Sequence, residues 1–361
     1  MKKRMTESIK DQLFELIKAA LWDVAPNENL FERLTHDQWE ELYRLAVGGA
    51  VVSLGYDGLN RLPDGCLPVR TVLLKWYALS EKKKEHNNLC KKVLQQITLL
   101  YGKNDVEFIL LKGLGVAQLY RNPSFRDGGD IDLLITKNYD LANELMRKGG
   151  CIKSDDNIKH RTFTYKRVTV ENHHSVAINS VTGKVLEPLF VNPKVIFGSV
   201  LVPNATCNSV YLVEHIADHF FIGGIGLRHI CDLCMLFSKG GIDLQESREG
   251  ITKIGAAPLF ARLAAIMVRH LGVDQALLPI EPVYDRLTDK VLQDIVTRGN
   301  FGSMEQWQIS KNKWVRKSKT MGRIVKRIWS YRKLGGAIYF QHIKDLLAFN
   351  FKSMTAGGSK E

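Results

Sequence analysis

A chain of 361 residues, 45% hydrophobic and 25% charged, admits two or three folded domains with a sizeable core and excludes a disordered chain or a small disulfide-stapled one. No run reaches the roughly 20 apolar residues of a membrane span, and Met1-Lys2-Lys3-Arg4 gives way to polar residues, so no transmembrane segment, no signal peptide and a cytoplasmic location are expected. The net charge of +13 favours phosphorylated or polyanionic partners and says nothing about fold.

The first hundred residues read as helical. Leu13, Leu16, Ile17 and Ala20 recur at helical spacing, and Thr35 with Gln38 forms a capping box ahead of Trp39, Leu42, Tyr43 and Ala46. Residues 55–68, rich in Gly, Pro and Asp, read as a connection. A long helix with the stripe Leu89, Val93, Ile97 and Leu100 follows. At Val106 the character changes: 106–111 reads as a strand, Lys112-Gly113 as a corner, 114–120 as a helix, Gly128-Gly129 as a turn and 130–136 as a strand. A helix over 138–148 and strands over 162–165, 168–172 and 174–178 come next, with Asp155 and Asp156 in a polar loop. Helices return over 210–222, 227–237 and 258–271, and helical patterns continue to Phe349.

The expected architecture is α+β: a small mixed β-sheet core (105–205) flanked by a helical N-terminal region (1–104) and a helical C-terminal domain (206–350), with a disordered tail (351–361). The six cysteines are scattered among apolar residues, and the Cys231-x-x-Cys234 pair lies inside a helical apolar pattern, which predicts buried reduced thiols.

The informative stretch runs from Leu110 to Ile135. Residues i and i+2 of a strand share a face, so Asp130 and Asp132 project together while Ile131 points away. Two carboxylates that close repel unless a cation neutralises them, and oxygen ligands with room for phosphate suit magnesium. A pair of solvated edge-strand aspartates is the competing reading. Gly113 permits close backbone approach, the helix start behind it offers amides to phosphate, and Lys112 adds a mobile charge. Arg126 is a candidate phosphate clamp or a surface partner of Asp127, and Gly129, just before the strand, is a further candidate binding residue.

The series strand, Lys-Gly, helix with Leu-Tyr, Asn-Pro, Phe-Arg and Gly-Asp-Ile-Asp-Leu-Leu resembles the uncharacterised bacterial nucleotidyltransferase family of the DNA polymerase beta-like superfamily. Leu114 stands where that superfamily has Gly or Ser. The resemblance implies a nucleotidyltransferase that uses an NTP and two magnesium ions on Asp130, Asp132 and a third carboxylate from a later strand, for which Glu171 fits. It does not name the acceptor. A non-catalytic nucleotide- or RNA-binding protein on the same fold is the alternative. His215 and His219 share a helix face ahead of Arg228 and Asp232, read as an intrahelical pair in a buried polar cluster; a zinc site would need a third ligand. From Lys311 to Lys333 the chain is basic without an acid and carries Trp314, Trp329 and Tyr331, compatible with RNA or another polyanion, or with a helix whose basic face is solvated.

Overall fold

The amphipathic repeats of the first hundred residues fold into four helices, α1 (Lys2–Trp22), α2 (His36–Gly48), α3 (Val52–Leu59) and α4 (Arg70–Gly102), in a computed structural model that describes residues 2–156, 160–177, 180–300, 304 and 313–335. The helical pattern beyond 335, the tail 351–361 and the side chains of Trp314 and Val315 lie outside the described residues. The Thr35 box closes as expected: the Thr35 hydroxyl accepts from the Gln38 amide at 3.3 Å, and the Gln38 side chain accepts from the Thr35 amide at 2.8 Å.

The expected connection over 55–68 is overturned in its first part, because α3 runs through Gly55 and Gly58. A Cβ on Gly58 would lie 2.1 Å from the Leu16 carbonyl oxygen, and one on Gly55 would lie 2.4 Å from the Trp76 ring. Each glycine costs about 1 kcal/mol of helix propensity relative to alanine, and in return α3 packs directly on α1 and α4. Gly58→Ala should therefore destabilise by about 2 kcal/mol or more, read as a lower urea midpoint. Parental stability in that variant would show that α1 and α3 separate freely.

The 33-residue helix α4 is about 50 Å long at 1.5 Å per residue, and it replaces any linker. Val72 and Trp76 join the core of α1–α3, while Cys90, Val93, Leu94, Ile97 and Tyr101 join a second cluster beneath the sheet.

That sheet has seven strands: β1 (Glu107–Leu111), β2 (Asp130–Lys137), β3 (Ile152–Asp156), β4 (His160–Tyr165), β5 (Val168–His173), β6 (Lys194–Ile196) and β7 (Val200–Val202), in the order β3-β4-β5-β2-β1-β7-β6. Pairing is mixed: β1–β2, β4–β5, β3–β4 and β6–β7 are antiparallel, while β2–β5 and β1–β7 are parallel. Helices α5 (Gly113–Ala117), α6 (Tyr139–Lys148) and α7 (Ser180–Leu186) lie between strands. The fold is α+β, as expected. The two-residue period sorts the sheet's faces. Phe108, Leu110, Ile131, Leu133, Ile135, Val168 and Val170 pack toward α4 and α6, whereas Ile109, Leu111 and Leu134 join the large helical core.

Two expectations fail here. Of the strand expected over 174–178, Ile178 lies outside the described residues and 174–177 are irregular, bending at His174 and Val176; the Ser175 hydroxyl donates to the Ala177 carbonyl at 2.8 Å and accepts from its amide at 3.3 Å, so the side chain satisfies the backbone locally. Asp155 and Asp156 belong to edge strand β3, not to a loop.

Beyond β7 come α8 (Ala205–Ile222), α9 (Leu227–Lys239), α10 (Leu244–Lys253), α11 (Ala257–Leu271), α12 (Arg286–Arg298) and α13 (Lys313–Ser330). One hydrophobic cluster runs from α1–α3 into α8, α9, α11 and α12, so the helices before and after the sheet form a single body. Cys231 and Cys234 are fully buried in it, and burial pushes both thiols well above their ordinary range. The basic stretch is only partly a solvated face. On α13, Arg327 is buried, pairs bidentately with Asp294 at 2.7 and 2.6 Å and donates to the Phe220 carbonyl, while Arg323, Lys326 and Trp329 are exposed. No helix of the described residues is long and apolar enough to cross a membrane.

Candidate active site

Strand β2 begins at Asp130 and pairs along β5 in parallel register, Asp130 with Thr169 and Asp132 with Glu171. Paired residues of neighbouring strands share a face, so Asp130, Asp132 and Glu171 point the same way. Antiparallel β4 sets His160 opposite His173 and Thr162 opposite Glu171. Asp130 is exposed at the strand's open end; Asp132, one pleat deeper, is 1% exposed.

The corner after β1 delivers Lys112. Lys112 and Gly113 both have positive φ, 47° and 40°, and a Cβ on Gly113 would lie 3.4 Å from the Asp130 carbonyl oxygen. For lysine this backbone is strained by about 1 kcal/mol or more, a cost found where a side chain must reach a set position. Its ammonium lies 3.0 Å from Asp132 Oδ1. His173 Nε2 lies 3.0 Å from the same oxygen and 3.4 Å from Glu171 Oε2, and His160 Nε2 is 3.6 Å from Glu171 Oε2. Burial opposes ionisation of Asp132, but Lys112 and His173 outweigh it and hold the carboxyl well below the usual range. Burial likewise works against the Lys112 ammonium, yet Asp132, Tyr211 and Asp130 keep it charged well above its ordinary range. His173 is raised because its contacts with Asp132 and Glu171 exceed the cost of burial, whereas burial lowers His160.

These residues line one wall of a cleft of about 670 Å³, and Tyr211, His215 and His219 of α8 with Arg228 and His229 of α9 line the other. The strand carboxylates thus face side chains that lie at least forty positions later in the sequence.

Arg126 also borders the cleft, but its fork is engaged. Nε and Nη2 donate to Asp232 at 2.8 and 2.7 Å, the Tyr120 hydroxyl donates to the same carboxylate at 2.7 Å, and Arg126 and Asp232 are both buried. Neither the Arg126–Asp127 pair, the alternative to a phosphate clamp, nor the expected Arg228–Asp232 pair forms. Asp127 instead caps α3, accepting from the amides of Val52 and Ser53 at 3.1 and 3.4 Å and from the Ser53 hydroxyl at 2.6 Å. Arg228 Nη1 donates to the Asp127 carbonyl at 3.0 Å, and its Nε is buried without a partner. Burial, then Arg126, lowers the Arg228 guanidinium. The Gly128-Gly129 turn is held by α4: Asn87 donates to the Arg126 carbonyl at 2.8 Å, and His86 Nε2 lies 3.0 Å from the Gly129 carbonyl oxygen. Gly128 is needed because a Cβ there would lie 2.6 Å from Asn87 Oδ1; no such crowding surrounds Gly129. The role of α4 in fixing this turn gave no signal in the sequence.

On the far wall, the rings of His215 and His219 are 4.2 Å apart, and each is 6.3 Å from His229, a third imidazole that helical spacing alone could not supply. Among the described residues, the group of three whose donor atoms converge within 4.8 Å is instead His160, Glu171 and His173. His229 sits with Nδ1 3.3 Å from the Gly226 carbonyl oxygen, and burial, with Arg228 and His219 adding, pushes it well below the ordinary imidazole range. It is neutral in the fold, whereas in the unfolded chain it binds a proton near pH 6.5. Stability contributed by neutral His229 is therefore present above about pH 6.5 and falls by up to about 1.4 kcal/mol per pH unit below it. Urea midpoints at pH 7.5 and 5.0 should differ more for the parent than for His229→Gln; equal differences would exclude His229 as the source.

Residues 35–272 match the family described as an uncharacterised nucleotidyltransferase. The match includes every strand and the whole cleft wall from Lys112 to Asp232. An antigenic nucleotidyltransferase-like protein from Paracoccidioides brasiliensis is similar at 13% identity and a TM-score of 0.32, covering 54% of this chain and 93% of its own, a likeness too slight to bear on site or function. No curated protein matches the chain. With the family match spanning residues 35–272 of 361, the chain belongs to the uncharacterised nucleotidyltransferases.

Proposed function

We propose that the cleft transfers a nucleoside monophosphate from an NTP to an acceptor hydroxyl, with magnesium, and releases pyrophosphate. The observation that carries this reading is the placement of Asp130, Asp132 and Glu171 on one face of two adjacent strands, at the wall of an open cleft. That donor set fits divalent cations: three carboxylates with phosphate-sized space in front of them. Bound there, two magnesium ions would neutralise the triphosphate and stabilise the leaving pyrophosphate.

The chain's own residues supply the rest. Lys112 and His173 keep Asp132 ionised and fixed in rotamer. Arg228 carries positive charge at the cleft without a carboxylate partner within salt-bridge distance among the described residues, so it serves the phosphates better than Arg126, whose charge Asp232 balances. The acceptor oxygen bonds to the α-phosphorus as the bond to pyrophosphate breaks, and Asp130, the exposed carboxylate, is open to the acceptor's proton.

One observation favours a second reading. The Lys112 ammonium already contacts Asp132 Oδ1, which suits a protein that binds nucleotide without turning it over. Two measurements separate them. Turnover predicts magnesium-dependent thermal protection by at least one NTP together with pyrophosphate release in cell extract. Protection without release leaves only binding, and neither signal with any NTP removes both readings.

A further inference from the structure

We infer that the inner corner of the cleft, formed by His160, Glu171 and His173 beside Asp132, is a binding site for a first-row transition divalent ion, manganese, cobalt or zinc, in preference to magnesium. This deepens the nucleotidyl-transfer reading, from which it takes that the cleft holds divalent cations, and it names the class of ion.

The site is built by strand register. Parallel β2–β5 pairing sets Asp132 beside Glu171, the two-residue period brings His173 onto the same face, and antiparallel β4–β5 pairing adds His160 opposite His173. Three donor groups from two strands thereby converge within 4.8 Å, and the two imidazole rings lie 4.6 Å apart at 56°. Among the described residues, the ring of His160 is held by its contact with His173 and by no hydrogen bond. Its Nδ1 is buried without a hydrogen-bond partner, and its Nε2 stands 3.6 Å from Glu171 Oε2, beyond hydrogen-bond reach. A buried ring nitrogen without a partner calls for an ion or a water to satisfy it, and Nε2, the nitrogen nearer Glu171, has no hydrogen bond either.

The donor chemistry then selects the ion. Magnesium prefers oxygen ligands and retains several waters, so imidazole adds little to its binding. Manganese, cobalt and zinc accept imidazole together with carboxylate, and affinity for such nitrogen-containing sites rises from manganese through cobalt. Two imidazoles and a carboxylate form a nitrogen-rich corner, whereas Asp130 at the exposed end of β2 offers only oxygen. Asp132 and Glu171 belong to this corner and also to the carboxylate set of the transfer reading, so the preferred ion would take one of the two cation positions proposed there, in place of magnesium.

The test uses the full chain and the metals alone. Manganese titration followed by the EPR signal of the free ion should give binding about tenfold or more tighter than magnesium in competition, and His160→Ala should weaken manganese and cobalt by about tenfold or more while magnesium binding holds. His160→Gln, matched to the parent by melting temperature, serves if the alanine variant does not fold. Pulsed EPR of the wild-type manganese complex needs no variant: directly bonded imidazole should give nitrogen hyperfine coupling. Equal manganese and magnesium affinity, or a manganese complex without nitrogen coupling, overturns the inference. Nitrogen-coupled manganese with no NTP turnover in any metal would leave this site standing and remove nucleotidyl transfer; magnesium-supported turnover without nitrogen coupling would do the reverse.

Discussion

Asp130→Asn should abolish nucleotidyl transfer and leave stability unchanged, while Asp132→Asn should lose both. The substitutions are chemically identical and differ only in where the strand places them. Asp130 is exposed at the mouth of the cleft, so an isosteric amide there removes a charge that the fold does not use. On the proposed reading it removes a ligand to the cations that would stabilise the leaving group, and losing one preorganised electrostatic contact of this kind costs on the order of 10²–10³ in rate. Asp132 is 1% exposed and faces the Lys112 ammonium at 3.0 Å. Neutralising it leaves the ammonium of Lys112, only 14% exposed, without its carboxylate, and breaking a buried ion pair from one side costs up to about 3–5 kcal/mol. Pyrophosphate release and urea midpoints, measured on both variants, check the two halves separately. A fully active Asp130→Asn would sink the metal role; an Asp132→Asn variant as stable as the parent would show that Lys112 reaches solvent.

Asp232→Ala should be among the most destabilising single changes in the protein, by about 3–5 kcal/mol. Its carboxylate takes two charge-assisted bonds from Arg126 and one from Tyr120, all in a buried setting. Truncation leaves Arg126 charged and uncompensated. Arg126 is four residues before Asp130 and shares its turn with Asp127, which caps α3. The same change should therefore loosen the turn before β2 and lower transfer activity along with stability. The double variant Arg126→Met with Asp232→Leu removes both charges and should recover about 1–4 kcal/mol of the loss. A double-mutant cycle in urea checks this: additive losses would mean that the pair is not coupled, contrary to the geometry.

What the sequence shows of this site is what local periodicity can carry. Asp130 and Asp132 stand two apart at the head of an apolar strand, so their common face follows from the pleat alone. Glu171 and His173 repeat that spacing, and β2–β5 register then puts Glu171 beside Asp132. His160 escapes because strand β4 begins two residues earlier than its apolar pattern suggests, although the alternation His160, Thr162, Thr164 could have extended it. Arg126 and Asp232 are 106 residues apart, and Asp127 reaches Val52 across 75. No local pattern encodes such partners, and short-range alternatives, Arg126 with Asp127 and Arg228 with Asp232, are what proximity in sequence offers instead. Helix α3 is hidden for a different reason: Gly55 and Gly58 carry the composition of a loop, yet they are there to let helices touch. Strands β6 and β7, three residues each, are too short for any period to register.

The most direct measurement of the account follows the fate of each phosphate. The full-length protein is incubated with NTPs labelled at the α- or the γ-phosphate, divalent metal and cell extract. The α-label should join an acceptor, the γ-label should leave in pyrophosphate, and Asp130→Asn should label nothing. An acceptor labelled from the γ-position, or labelled equally by Asp130→Asn, would contradict nucleotidyl transfer at this site.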